Sequence, residues 1–223
     1  NLGKKRVELT AETIEELVGA YKAAEPVAKL VQIFDLQDFG YTRIQVERPL
    51  RLRYAVTPEE LSAFQQSKFF LDLATSKKTG DKARAEIEAG KKKRAELLAA
   101  LEIVAKLCPC PDDRAFLTAL NDALPFKLTG QLIKAVRSAF GERDEEAAKV
   151  LQKPFDDVDA TEADADPGAF YETDSELRDQ ERIPLKQDID EYFAREVLPY
   201  APDAWMDRSK DQVDYEISFT KYF

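Results

Sequence analysis

At 223 residues, with 44% hydrophobic, 34% charged and 10% aromatic side chains, the chain has the composition of a folded globular protein and not of a disordered one. Its length allows one domain or two small ones, with roughly 70% of the unfolded surface buried on folding. The absence of histidine, and only two cysteines at Cys108 and Cys110, exclude the commonest general base, a tetrahedral zinc site and a disulfide framework, and fit a reducing compartment.

The net charge of −10 is unevenly spread: residues 1–100 carry 18 Lys/Arg against 15 Asp/Glu, and the remainder carries 15 against 28. That asymmetry leaves room for a basic face within an acidic protein. No apolar run reaches the ~20 residues of a membrane span, and no signal peptide opens the chain. A start at Asn1 rather than Met reads as a piece of a longer protein.

Asn1 to Arg6 is a short basic start. Thr10 is suited to N-cap a helix with Glu12, Glu15 and Glu16 in its first turns, Ile14, Leu17, Val18 and Tyr21 as its apolar stripe, and Pro26 marking its end. The period then changes. Leu30–Phe34 reads as a strand, Asp35–Gly40 as a turn, and Tyr41–Glu47 as a strand with Arg43, Gln45 and Glu47 on its solvent face. After Pro49 the alternation resumes over Leu50–Val56, which predicts a hairpin-like element.

From Pro58 the pattern is helical for about a hundred residues. Glu59–Leu73 predicts one helix burying Leu61, Phe64, Phe69 and Leu73. Asp81 caps a long helix through Leu107, whose Ala83, Ile87, Gly90, Leu97, Leu101 and Val104 keep near-heptad spacing. Asp112–Leu124 and Thr129–Phe140 predict two shorter amphipathic helices, and Glu142–Leu151 another turn or two.

Residues 154–173 hold Asp156, Asp157, Asp159, Glu162, Asp164 and Asp166. They read as a mobile acidic linker, lacking the ligand spacing and terminal Glu of a calcium loop. Beyond it, Pro184 reads as the first residue of a helix with Ile189, Tyr192, Phe193 and Val197 on one face, stopped by Pro199 and Pro202. Trp205 follows, and Val213–Phe219 alternates as a strand expected to lie beside the N-terminal β element. The whole reads as α+β and predominantly helical: several amphipathic helices with a small antiparallel β element. Four stretches are expected: residues 1–56, 57–153, 154–173 and 174–223.

Three groups of residues, in this order, carry a resemblance. The first is Asn1-Leu-Gly-Lys-Lys-Arg6 before a helix, then Phe34-Asp35, Asp38-Phe-Gly-Tyr41 and Val46-Glu-Arg-Pro-Leu-Arg-Leu52. The second is Leu73-Ala-Thr-Ser-Lys-Lys78 before a charged helix. The third is Glu176-Leu-Arg-Asp179, Ile183-Pro-Leu-Lys186, Asp188-Ile-Asp-Glu-Tyr-Phe193, Arg195-Glu-Val-Leu-Pro199, Pro202-Asp-Ala-Trp205 and Tyr215-Glu-Ile-Ser-Phe-Thr220. Together they span nearly the whole chain and resemble the C-terminal region of the modification (M) subunit of type I restriction-modification systems, which are DNA adenine-N6 methyltransferases.

The resemblance implies a non-catalytic region. The Asn-Pro-Pro-aromatic motif and the glycine-bearing loop for S-adenosylmethionine, which such enzymes need, are absent from this sequence and would lie upstream in the parent protein. It also implies a cytoplasmic complex in which the M subunit pairs with a specificity subunit that reads a bipartite DNA site. The restriction subunit is a further partner, DNA is met through the complex, and no membrane is involved.

The residues themselves supply few other signals. There is no phosphate or dinucleotide loop, nucleophile elbow or Cys–His pair. The DNA-phosphate candidates are the cations Lys77, Lys78, Lys82, Arg84, Lys91, Lys92, Lys93 and Arg94, although four consecutive residues exceed one helical turn and cannot all face one groove. The partner-docking candidates are the apolar residues Ile87, Leu97, Leu101, Tyr192, Phe193 and Trp205, which equally suit internal core. The competing reading is a free-standing helical protein-interaction module unrelated to methylation.

Overall fold

The computed structural model describes residues 9–26 and 31–218. The first helix, α1 (Ala11–Ala23), starts behind Thr10, whose hydroxyl accepts from the Thr13 N–H at 3.2 Å. It ends at Ala24 in the left-handed region, with φ 50°. The basic start and Leu30 lie outside the described residues, and residues 31–34 form no strand. Instead, a 3-10 turn over Leu36–Phe39 leads into β1 (Gly40–Glu47) and then β2 (Leu52–Tyr54).

The helical body comprises α2 (Pro58–Gln66), α3 (Lys68–Asp72), α4 (Asp81–Val104), α5 (Asp113–Ala123) and α6 (Gly130–Phe140). Then come β3 (Gly141–Arg143), α7 (Ala160–Ala165), α8 (Pro167–Phe170), β4 (Asp179–Pro184), α9 (Ile189–Glu196), β5 (Trp205–Met206) and β6 (Gln212–Tyr215). The fold is α+β, predominantly helical, with small antiparallel sheets. No helix among the described residues is long and apolar enough to cross a membrane.

Local chemistry sets the helix starts. Thr57 and Glu60 form a reciprocal capping box, the Glu60 N–H donating to the Thr57 hydroxyl at 3.2 Å and the Thr57 N–H to the Glu60 carboxylate at 2.9 Å. Asp112, Thr129, Asp159 and Asp188 cap α5, α6, α7 and α9 with their side chains alone, each accepting from a backbone N–H of the first turn. The single helix expected over Glu59–Leu73 is divided at Ser67, which closes α2 with extended backbone and caps α3 with its hydroxyl. Asp81 is the first residue of α4 and Gly80 its cap; the last expected turn, to Leu107, is 3-10.

One core joins these helices to β2. The Tyr54 and Phe116 rings stack with centroids 4.1 Å apart and planes 9° from parallel. Leu97, Leu101 and Val104 of α4, Leu117 and Leu120 of α5, and Val136 and Phe140 of α6 surround them, all buried. Each such side chain contributes about 1.5–3 kcal/mol by leaving water. A second, smaller core sits where α9 covers the other sheet, joining Phe193 and Val197 to Ile44, Val46 and Ile183.

The sheet pairings correct the expected hairpin. β1 and β2 do not pair with each other. β1 is central, with β4 along one edge (Tyr41↔Pro184 to Val46↔Asp179) and β6 and β5 along the other (Gly40↔Tyr215, Thr42↔Val213, Glu47↔Trp205), all antiparallel. The expected proximity of the C-terminal strand to the N-terminal β element therefore holds; Phe219 lies outside the described residues. β2 pairs with β3, so residues 141–143 are strand and no helix forms over 142–151. Three stretches stitch the two cores together through the bridges Pro49↔Thr173, Arg51↔Lys149 and Leu151↔Tyr171.

Two further expectations change. Pro184 ends β4 and is not a helix start, because Asp188 supplies the cap four residues later. The acidic stretch holds two short helices and reaches the sheet: a Cβ on Gly168 would lie 3.0 Å from the Trp205 Nε1, so the indole seats directly on α8.

Candidate functional site

The cationic candidates lie on and just before α4, and the structure does not gather them. At 3.6 residues per turn, Lys82 and Lys93 point within ~20° of each other, as do Arg84 and Lys91, but the two pairs lie on opposite sides of the helix. Most are engaged. Lys78 bonds Glu86, Lys91 lies 2.8 Å from Glu88, Lys92 3.7 Å from Glu96 and Arg84 3.9 Å from Asp81. Lys93 lies over the Phe126 ring at 5.9 Å. Lys77 and Lys82 have no ion pair among the described residues.

Arg94 has a structural task. Its Nε donates to the Phe70 carbonyl at 2.7 Å, its Nη2 donates to Leu71 O, and its guanidinium covers the Phe70 ring, so it serves the carbonyls at the end of α3. Close by, α4 meets the chain after α3 at Gly90. A Cβ there would come within 2.0 Å of the Leu73 carbonyl oxygen.

The docking candidates divide in the same way. Leu97 and Leu101 have no exposed surface and Phe193 is buried, so these three hold the cores together and are not available to a partner. Ile87, Tyr192 and Trp205 are half-buried. Burial, followed by the neighbouring carboxylates of Glu181 and Glu196, pushes the Tyr192 phenol above its ordinary pKa, which keeps it a neutral donor.

The charged groups that organise the molecule are ones the sequence did not single out. Arg137 and Asp113 are buried in the helical core, with Nε to Oδ1 at 2.9 Å and Nη2 to Oδ2 at 2.6 Å. The Tyr54 hydroxyl donates to the same carboxylate. Arg137 also donates to Leu151 O at 2.8 Å and reaches Glu172 at 3.4 Å, so it ties α6 to the stretches that join the two cores. Burial, then Asp113, drives the Tyr54 phenol far above its usual pKa. Burial opposes the Arg137 charge, but the hydrogen bonds and charge of Asp113 outweigh it and raise the guanidinium's pKa further.

A signal for this pair was present: Arg137 interrupts the apolar face formed by Ile133, Val136 and Phe140, and a cation there needs a buried anion. Glu47 gave less warning. Expected on the solvent face, it is 3% exposed, held by Arg178 at 2.8 Å and Gln45 at 2.5 Å.

Where the cores meet, a cleft of about 450 Å³ is lined by two charge groups and the apolar walls of Pro49, Leu177 and Pro202. In one group Arg48 and Arg51 grip Asp203 at 3.3 and 3.1 Å. In the other, Arg143 holds Asp174 and Glu176, each at 2.9 Å. Burial opposes the Asp203 charge, yet Arg51 and Arg48 hold its carboxyl below the usual carboxylate range. These ion pairs hold the cleft between the two cores, and its lining also carries Asp144 and Glu145.

Among the described residues no group of three or more His, Cys, Asp or Glu side chains could hold a metal ion. Cys108 and Cys110 are free and half-buried, and burial, then the Cys110 charge, raises the Cys108 thiol, the opposite of an activated nucleophile. No family model, curated protein or solved structure matches the chain.

Proposed function

We propose that this chain is the non-catalytic C-terminal region of a type I DNA methyltransferase M subunit, supporting assembly with the specificity subunit in a complex that methylates adenine N6 with S-adenosylmethionine. The observation that carries the reading is spatial. Strings that bear the resemblance lie more than a hundred residues apart in the chain, yet they meet around one sheet.

Lys186 of Ile183-Pro-Leu-Lys186 reaches Asp38 of Asp38-Phe-Gly-Tyr41 at 2.5 Å. Arg48 and Arg51 of the string ending at Leu52 hold Asp203, and the neighbouring Trp205 pairs with Glu47. Tyr215 pairs with Gly40. These contacts join the quoted strings around one sheet, which is compatible with the reading.

In this reading the catalytic motif and cofactor loop belong to the upstream part of the parent protein, and the chain works in the cytoplasm. The restriction subunit is a further partner, and the cations around α4 are candidates for DNA phosphates in the assembled complex. Reading the coding region upstream of Asn1 tests the family assignment: an Asn-Pro-Pro-aromatic motif preceded by a glycine-bearing loop is expected. A reading frame that opens just before Asn1 would leave a helical interaction module and remove methylation. DNA contact through three or four α4 cations would give log affinity against log salt a slope of roughly −3, and a flat titration would remove that role.

A further inference from the structure

We propose that the open pocket between α6, β3 and residues 50–52 binds a phosphate group. The pocket has a volume of about 380 Å³. In a chain of net charge −10 its wall carries three cations, Lys134, Arg137 and Arg143, against one carboxylate, Glu172. Lys134, Arg137 and Ser138 stand at positions i, i+3 and i+4 of α6 and so share one side of the helix. Arg143 comes from β3, and Leu50 and Leu52 give an apolar wall. The site stands on this geometry and not on the family proposed above.

The second observation is which donors are already used. Arg137 is only 9% exposed, and Asp113 takes its Nε at 2.9 Å and its Nη2 at 2.6 Å, which fixes the guanidinium plane. Its Nη1 meets Glu172 alone among the described residues, at 3.4 Å, longer than the ~2.8 Å usual for a charge-assisted bond. Asp174 takes the Arg143 Nε at 2.9 Å and Glu176 lies 2.9 Å from its Nη1, which leaves Nη2 without a hydrogen bond among the described residues. There, too, Lys134 has no ion pair and the Ser138 hydroxyl no hydrogen bond. The carboxylates that hold the two guanidiniums stand outside the pocket wall: Asp113 is buried, and Asp174 and Glu176 line the neighbouring cleft.

Spare N–H and O–H groups on a helix and a strand thus converge on one volume, and two of them belong to guanidiniums already held in place. A tetrahedral oxyanion suits such a set, because each oxygen accepts: guanidinium edges match phosphate geometry, and the lysine ammonium adds a point charge. Leu50 and Leu52 leave an apolar wall for the organic part of a phosphomonoester. Glu172 is the acceptor that competes. Its long contact with Arg137 is the bond a phosphate replaces, so this carboxylate holds the affinity down. A phosphorylated small molecule and a nucleic-acid backbone offer the same phosphate oxygens, and the choice of probe separates them.

Titration calorimetry of the full chain with inorganic phosphate, phenyl phosphate and a short DNA duplex tests this. One phosphate site per chain is expected, tighter for phenyl phosphate than for inorganic phosphate. Lys134→Ala should weaken it at least ~tenfold, Glu172→Gln should tighten it, and Lys106→Ala, an exposed cation far along the chain from the pocket, should leave it unchanged. Lys134 is exposed and Glu172→Gln keeps the side-chain shape, so circular dichroism should match the parent in each case. Duplex binding that Lys134→Ala weakens by the same factor assigns the site to a nucleic-acid backbone; phenyl phosphate binding with a duplex indifferent to Lys134→Ala assigns it to a small molecule. No binding of any of the three probes, binding indifferent to Lys134→Ala, or binding weakened by Glu172→Gln would overturn the proposal.

Discussion

Asp113 and Arg137 face each other fork to fork in the helical core, with Oδ1 to Nε at 2.9 Å and Oδ2 to Nη2 at 2.6 Å, 24 residues apart in the chain. A buried ion pair offsets its own desolvation only while both partners remain. Arg137→Met therefore strands a buried carboxylate and should cost about 3–5 kcal/mol, whereas Asp113→Leu combined with Arg137→Met should recover most of that loss. Urea denaturation of the three variants decides this, and equal losses in the single and double variants would contradict it.

Tyr54 carries a pH signature. Burial, then Asp113, raises its pKa, so the folded protein keeps the phenolic proton after the unfolded chain releases it. Stability should then fall as pH climbs above the ordinary tyrosine value of ~10. Tyr54→Phe should cost about 1–2 kcal/mol at neutral pH by removing a donor to Asp113. The gap between variant and parent should shrink above pH ~10, read by denaturant titration across the alkaline range. A constant gap would exclude this origin.

Asp203 should behave in the opposite sense. Burial opposes its charge, but Arg51 and Arg48 prevail and its pKa is lowered on folding. Its contribution is thus present above the unfolded aspartate value of ~3.9 and is lost as pH falls below it. Asp203→Asn should cost about 1–2 kcal/mol near neutrality, with the difference vanishing in acid. Thermal melts of both proteins between neutral and acid pH test it; an undiminished difference in acid would refute it.

Gly90 marks a backbone contact between α4 and the end of the preceding helical pair. A Cβ would fall 2.0 Å from Leu73 O and 2.6 Å from the Ala74 Cα, neither of which is a flexible side-chain tip. Gly90→Ala, which raises helix propensity, should nonetheless destabilise by about 1–3 kcal/mol through overpacking. A gain in melting temperature would show that the two segments separate freely.

Much of the fold was legible because local rules and burial agreed. The cap at Thr10, the helices starting near Asp112 and Thr129, the alternation over Tyr41–Glu47 and the stripe ending at Val104 all reappear as elements. The misreadings come where long-range pairing decided. Pro184 carries a helix-start signal, but β1 takes residues 179–184 as a strand and delays the helix to Asp188. Residues 142–151 resembled helix until β2 and the Arg51↔Lys149 bridge claimed them. Leu97 and Leu101 could serve core or interface by spacing alone, and only burial separates the two. The partner of Arg137 was invisible because no local pattern links a residue on α6 to one at the start of α5.

Co-expression with a specificity subunit of the proposed type I system tests the assembly role most directly. The account predicts that the chain, verified as folded, co-purifies with that subunit in a fixed ratio through size exclusion and ion exchange. A folded chain that elutes alone, with the specificity subunit recovered separately, would contradict it.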